Sequence, residues 1–157
     1  MKIYLAGPCS KEERPMMKAI AAALRAKGIY DVYCPFELKI PNAWDYPQEI
    51  WAQMVFENDM AAIDECDFMI MISKGRASTA GTNWEQGYAY ANNKPIFVYQ
   101  STEAETSLMT YCGCDRFFNF DDWKGDPQWI ADYLYEEFVP VWRPDERTYT
   151  ECKTVLT

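Results

Sequence analysis

Residues 67–82 read DFMIMISKGRASTAGT. The run DFMIMI at 67–72 is almost continuously apolar, and such a run suits a central strand covered on both faces. SKGRASTAGT then reads as a loop, and residues 83–93 read as a helix. Working outward, KIYLA at 2–6 is a short strand that breaks at Gly7-Pro8. Residues 11–27 have helical spacing, with Met16, Ile20, Ala23 and Leu24 on one face and Gly28 as the C-cap. DVYC at 31–34 is a second strand, stopped by Pro35, and 36–46 is an irregular loop. A helix follows from about 47 to 66, with Ile50, Met54, Ala61 and Ile63 as inner positions. PIFVY at 95–99 is the fourth strand, 103–111 a short helix, 116–120 the fifth strand and 126–138 a last helix. Strands alternating with helices imply right-handed crossovers and a parallel sheet. The expectation is a three-layer α/β fold, flavodoxin-like or Rossmann-like, with a five-stranded parallel sheet in one domain over 1–157.

Composition narrows the function. The chain has no histidine and a net charge of −9. The first fact removes the Ser-His-Asp triad and most catalytic zinc sites. The second argues against a nucleic-acid surface, which needs a basic stripe. No apolar run reaches the ~18 residues of a membrane span. MKIYLAGPCS lacks the features of a signal peptide, so a cytoplasmic address is expected. The six cysteines read as thiols, not as a disulfide framework, and Cys112-Gly-Cys114 is too close a pair for a zinc knuckle. No metal or cofactor is expected: neither G-x-G-x-x-G nor a P-loop occurs.

In such sheets ligands sit at the carboxyl ends of the strands, here lined by loops 7–14, 35–46, 73–82 and 100–108. Glu85 is placed at that mouth, in the first turn of its helix. Two readings compete. Thr82-Asn83-Trp84-Glu85 is a capping box. Alternatively, Glu85 is a nucleophile toward an electrophilic sugar carbon, kept ionised by the helix N-terminus. A second carboxylate would strengthen the latter. Asp59, Asp64 and Asp67 are available; Asp64 reads as a solvated helix charge, whereas Asp59 lies on the helix expected beside the central strand.

Tyr4-Leu5-Ala6-Gly7-Pro8, Val55-Phe56-Glu57-Asn58-Asp59, Gly81-Thr82-Asn83-Trp84-Glu85-Gln86-Gly87-Tyr88-Ala89 and Ser107-Leu108-Met109 occur in that order. Together they resemble the nucleoside 2-deoxyribosyltransferase family over about residues 1–120. The resemblance implies a flavodoxin-like fold and a homo-oligomer whose active sites are completed by a neighbouring subunit. It implies small-molecule partners, a 2′-deoxynucleoside or deoxynucleotide and a free nucleobase, and a 2-deoxyribosyl-enzyme ester. Glu85 matches the nucleophile, Asp59 the carboxylate that handles the base and its proton, Tyr4 the strand-one aromatic, and Gly7 the first-loop glycine. Ser78, Thr79, Gly81, Ser107, Met109 and Trp51 are the further substrate-binding candidates. The chemistry agrees with the composition: an oxocarbenium-like state can be stabilised and trapped by a carboxylate without histidine or metal.

Two positions depart from the family. The transferases carry an aspartate six residues before the nucleophile and an asparagine before the Leu-Met pair, both binding the sugar 5′-hydroxyl; here these are Thr79 and Ser107. Hydroxyls with Lys74 and Arg76 in the same loop would welcome a phosphate. That pattern is similar to the related 2′-deoxynucleoside 5′-monophosphate N-hydrolases, which have serines there. The chain also ends Val155-Leu156-Thr157, where the transferases place an aromatic carboxy-terminus that helps the site. Phe36, Trp44, Tyr46 and Trp51 are candidates to stack on a base, with core or loop packing as the alternative. Trp84 is expected to pack beneath its helix. A nucleotide-binding sensor without chemistry is the third reading.

Overall fold

The computed structural model describes residues 1–143. Five parallel strands, β1 (Lys2–Ala6), β2 (Asp31–Tyr33), β3 (Phe68–Ser73), β4 (Ile96–Gln100) and β5 (Arg116–Phe118), form one sheet in the order β2-β1-β3-β4-β5. The crossover helices are α1 (Arg14–Ala26), α2 (Gln48–Glu65), α3 (Ala80–Ala91) and α4 (Leu108–Cys112). A short α5 (Phe120–Trp123) and α6 (Pro127–Tyr133) follow β5. This is a flavodoxin-like fold. The expected tail beyond 143 lies outside the described residues.

Strand periodicity divides the core in two. Ile3 and Leu5 of β1 and Phe68, Ile70 and Ile72 of β3 point to one face, where α1 and α6 pack with Met17, Ile20, Leu24 and Ile130. Tyr4, Ala6, Met69 and Met71 point to the other face, where Ile63 of α2 and Ala89 of α3 meet them. Both faces are dry, which is why DFMIMI shows no apolar-polar alternation.

Several expectations shift. The buried face of α1 is Met17, Ile20, Ala21 and Leu24, so Met16 and Ala23 are flank positions. Of the proposed inner residues of α2, Ile63 alone is buried, together with Asp59; Ile50 is half exposed. The helix expected over 103–111 shrinks to Leu108–Cys112. Its first half is a loop held by the Gln100 amide, which donates to the carbonyls of Thr102 (2.9 Å) and Ala104 (2.6 Å). The last helix is α-helical to Tyr133 and continues as one π-helical stretch, Leu134–Phe138. The helix α5 was not foreseen; an Asn119–Asp122 capping box starts it.

With all strands parallel, every carboxyl end lies along one edge. The chain moves one way from β1 to β2 and the other way from β3 to β5, so the switch point lies between β1 and β3. The loop after β3 is welded to the loop after β4. Gly75 has φ +70°, and a Cβ there would lie 2.6 Å from the Glu105 carbonyl and 3.1 Å from that of Ala104. The Arg76 amide donates to the same Glu105 carbonyl at 2.8 Å. Gly75→Ala is therefore expected to destabilise the fold by about 1–3 kcal/mol, read as a lowered midpoint in thermal unfolding; an unchanged midpoint would contradict this account of the loop.

Candidate active site

The site begins with a correction to the start of α3. Thr79, not Thr82, is the N-cap: its hydroxyl accepts from the Thr82 amide (3.4 Å) and pairs with the Thr82 hydroxyl (2.7 Å). The Thr82–Glu85 capping box does not form, and Glu85 falls in the second turn. The helix N-terminus loses influence beyond its first turn, so it does not keep Glu85 ionised. Desolvation governs instead. Burial pushes the Glu85 carboxyl up to about 7, the Asp59 charge adds to this, and Tyr4 opposes it.

Glu85 of α3 and Asp59 of α2 open into one cavity of about 300 Å³, walled by Phe56, Met60, Gly81 and Trp84. That is at the lower end of the size of small-ligand sites. Asp59 is itself 9 % exposed. Burial raises its carboxyl, and the Tyr33 hydroxyl, which donates to Asp59 Oδ1 at 2.7 Å, lowers it again. Tyr33 is the register partner of Tyr4, and the two rings stack at 5.5 Å and 21°. The Tyr4 hydroxyl is fully buried and makes no hydrogen bond of ordinary geometry. Burial and then the Glu85 and Asp59 charges push its phenol up, so it stays neutral and is available as a donor. Two carboxylates and two tyrosine hydroxyls thus share the α2–α3 side of the sheet.

The other expected residues divide. Gly81 lines the cavity, and a Cβ there would meet nothing within 4 Å, so this glycine leaves the pocket open without relieving a clash. Gly7 is a tight passage: a Cβ would lie 2.6 Å from Met17 Cε and 3.2 Å from Ile72 Cβ. The Ser78 hydroxyl is used inside its loop, accepting from the Lys74 amide at 2.7 Å and bonding the Ser73 hydroxyl at 3.0 Å. Trp51 sits near the start of α2, about two turns before Asp59 and roughly 12 Å away along the axis. Ser107 and Met109 are not brought to Glu85. They line a second cavity of about 360 Å³ with Asn83, Gln86 and Tyr90, and Met109 is 82 % exposed. Among the stacking candidates, Phe36 packs against the core, Tyr46 is exposed and Trp44 is 98 % exposed.

Tyr33, Phe56, Met60 and Trp84 were missed. Phe56 and Met60 were findable, because Phe56 stands three before Asp59 and Met60 four after Phe56 on a helix. Trp84 is half exposed instead of packed beneath α3; it meets Phe56 edge-on at 5.5 Å and stacks on Tyr88 at 5.6 Å. Tyr33 was not findable without the strand register. Among the described residues no group of His, Cys, Asp and Glu could hold a metal, and no helix is long and apolar enough to cross a membrane.

A family model described as nucleoside 2-deoxyribosyltransferase matches residues 3–148. A 2-deoxyribosyltransferase from the psychrotolerant bacterium Bacillus psychrosaccharolyticus is 30 % identical over 85 % of this chain and 92 % of its own, with a TM-score of 0.70. The CMP N-glycosidase BcmB of Clostridium botulinum is 18 % identical over 83 % of this chain and 98 % of its own, with a TM-score of 0.60. An NADH:FMN oxidoreductase is 13 % identical over 94 % of both chains, with a TM-score of 0.55. The last two show the fold alone. No curated protein matches the sequence.

The raised Glu85 carboxyl has a consequence for stability. Below about pH 4.5 Glu85 is neutral in both folded and unfolded chains. Between that pH and about 7 only the unfolded chain ionises, and above 7 the folded chain carries the whole cost of a buried charge. Glu85→Gln is therefore expected to match the parent near pH 4.5 and to exceed it at pH 8 by on the order of 2–3 kcal/mol. Denaturant unfolding at the two pH values checks this; a difference independent of pH would refute it.

Proposed function

The chain belongs to the nucleoside 2-deoxyribosyltransferase family, and from that premise we propose that it cleaves the N-glycosidic bond of 2′-deoxynucleosides and transfers the sugar to another nucleobase. The observation that carries the reading is one cavity opening on both Glu85 and Asp59. The ionised Glu85 carboxylate attacks C1′ as the C1′–N bond breaks and its electron pair leaves with the base. The departing base takes its proton from Asp59, which becomes a carboxylate. A second base then attacks C1′ through a ring nitrogen, gives its proton to Asp59, and frees Glu85 as carboxylate. Two carboxylates in unequal surroundings can divide these roles. The neutral Tyr4 phenol is suited to orient Glu85. Phe56 and Trp84 supply apolar walls for a planar base.

The monophosphate-hydrolase reading rests on the hydroxyls of Thr79 and Ser107, with Lys74 and Arg76 as the cations of loop 73–82. Arg76 pairs with Glu105 at 2.7 Å in solvent, and Lys74 pairs with Glu13. With both cations engaged by carboxylates, the nucleoside reading is favoured. A sensor would gain nothing from the buried, costly Glu85 carboxylate.

Ser107 and Met109 take a separate part. They line a cavity other than the one that holds Glu85, and Leu108 and Met109 are exposed apolar side chains at the start of α4. We propose that they complete the site of a neighbouring copy in a homo-oligomer.

Glu85→Gln is expected to lower base exchange on deoxyuridine, deoxycytidine or deoxyadenosine by at least ~10³-fold, measured by product analysis with free adenine or cytosine as acceptor; exchange at the parent rate would end the proposal. Met109→Asp is expected to lose activity as well. Mixing it with Glu85→Gln under subunit exchange should restore part of the rate, because some sites then take Glu85 from one chain and Met109 from the other. A mixture as inactive as its components would contradict shared sites.

A further inference from the structure

One hydrogen bond at the candidate site joins a residue that lines the cavity to one that does not. The Tyr33 hydroxyl donates to Asp59 Oδ1 at 2.7 Å. Among the described residues it is the one hydrogen-bond partner of the Asp59 side chain. Asp59 opens into the cavity with Glu85, whereas Tyr33 takes no part in the cavity wall. Tyr33 borders a separate recess of about 160 Å³ with Val32, Ala62 and Cys66. It therefore reaches Asp59 from outside the cavity, where a substrate does not touch it.

The hydroxyl is held in place by its ring. Tyr33 ends the three-residue strand β2 and stands in register with Tyr4 of β1. The two rings stack, and Tyr4 is fully buried. Burial first, and then the bond to Asp59, push the Tyr33 phenol above its ordinary range, so it keeps its proton and remains the donor. Asp59 has no comparable support of its own. The last torsion of an aspartate side chain is broad, so an untied carboxyl exchanges its two oxygens freely. With Oδ1 tied to a fixed phenol, Oδ2 is the oxygen left for a ligand.

We propose that Tyr33 is the positioning residue of the base-release step, holding the Asp59 carboxyl so that Oδ2 meets the leaving base and steadying the carboxylate formed when the proton departs. As the C1′–N bond breaks, its electron pair leaves with the base and Glu85 bonds to C1′. The Asp59 proton passes from Oδ2 to the base. The carboxylate that remains still accepts the Tyr33 hydrogen bond at Oδ1. A hydroxyl bonds an ionised oxygen more strongly than a neutral one, so Tyr33 favours the deprotonated product of that step. An interaction that strengthens as charge develops acts on the transition state and not on substrate binding. The inference rests on the reading of Glu85 as nucleophile and Asp59 as proton carrier.

Tyr33→Phe removes the hydroxyl and keeps the ring that stacks on Tyr4. The test follows base release from two donors that differ in one atom, deoxyuridine and 5-fluoro-2′-deoxyuridine. Fluorine makes the departing base a better anion, so its release needs less help from an acid. Tyr33→Phe is expected to lower kcat/KM by ~10-fold on deoxyuridine and by less than about threefold on the fluorinated donor. Asp59→Asn should show the same bias with a larger loss on deoxyuridine. Thermal unfolding sets an assay temperature at which every variant is folded. A hydroxyl that served structure alone would cost both donors the same factor. An equal loss on both donors, or deoxyuridine turnover within about twofold of the parent's, overturns the inference while Glu85-dependent turnover stands. A parent that releases base from neither donor, or an Asp59→Asn variant without the bias, refutes the reading of the site, and the inference with it.

Discussion

The alternation of β1 is the constraint on which the site depends. A strand buried on both faces sends successive side chains to opposite layers. Ile3 and Leu5 therefore lock α1 and α6 against one face, while Tyr4 and Ala6 are committed to the other. Tyr4 is carried to the layer of α2 and α3, the layer that holds Asp59 and Glu85. Its register partner Tyr33 arrives there for the same reason, one strand over. A shift of one residue in β1 would put an aliphatic side chain under the carboxylates and a phenol into the core opposite. The apolar core and the polar cluster are thus specified by the same two-residue period.

The polar cluster is held at a cost. Asp59 and Glu85 are desolvated, and the charge of one raises the carboxyl of the other. Tyr33 meets part of that cost at Asp59 through a direct hydrogen bond. Glu85 receives less, and its carboxyl stands near neutrality as a result. That imbalance leaves the two carboxyls in unequal surroundings. It also explains why the surrounding layer is so apolar. Met69, Met71, Ile63 and Val98 supply burial that offsets a charge cluster the fold does not need for its own sake.

Legibility in the sequence followed the physical range of each signal. Strand positions were readable from DFMIMI, KIYLA and PIFVY, because the apolar run is local and its meaning is fixed by the parallel sheet. Family motifs brought Glu85, Asp59 and Tyr4 to attention, and the fold sets all three on one side. The N-cap was misread because Thr79 and Thr82 offer the same hydroxyl three residues apart; the choice depends on where the backbone turns helical. Ser78 looked free, but a hydroxyl's partners are decided by loop closure over Gly75. Lys74 and Arg76 looked like phosphate ligands because their carboxylate partners, Glu13 and Glu105, are 61 and 29 residues away in the chain. Short-range spacing does not reveal such pairings.

The distance of those partners bears on how this scaffold acquires chemistry. Five-stranded sheets of this order host many unrelated activities, so the sheet supplies a crevice and not a reaction. In nucleotide-binding versions of such folds, backbone amides at a helix N-terminus cradle phosphate. Here the corresponding start of α3 is turned inward: Thr79 and Thr82 satisfy each other, and Ser78 and Ser73 close the preceding loop. The first turn of α3 is thereby occupied by its own side chains, and the proposed reactive group, Glu85, lies one turn deeper. At that depth a carboxylate loses the favour of the helix end and gains the dryness that makes it sensitive to a nearby cationic sugar carbon. An oxocarbenium-like centre arriving beside Glu85 would restore the charge partner that burial withheld, so the interaction is strongest at the moment positive charge develops.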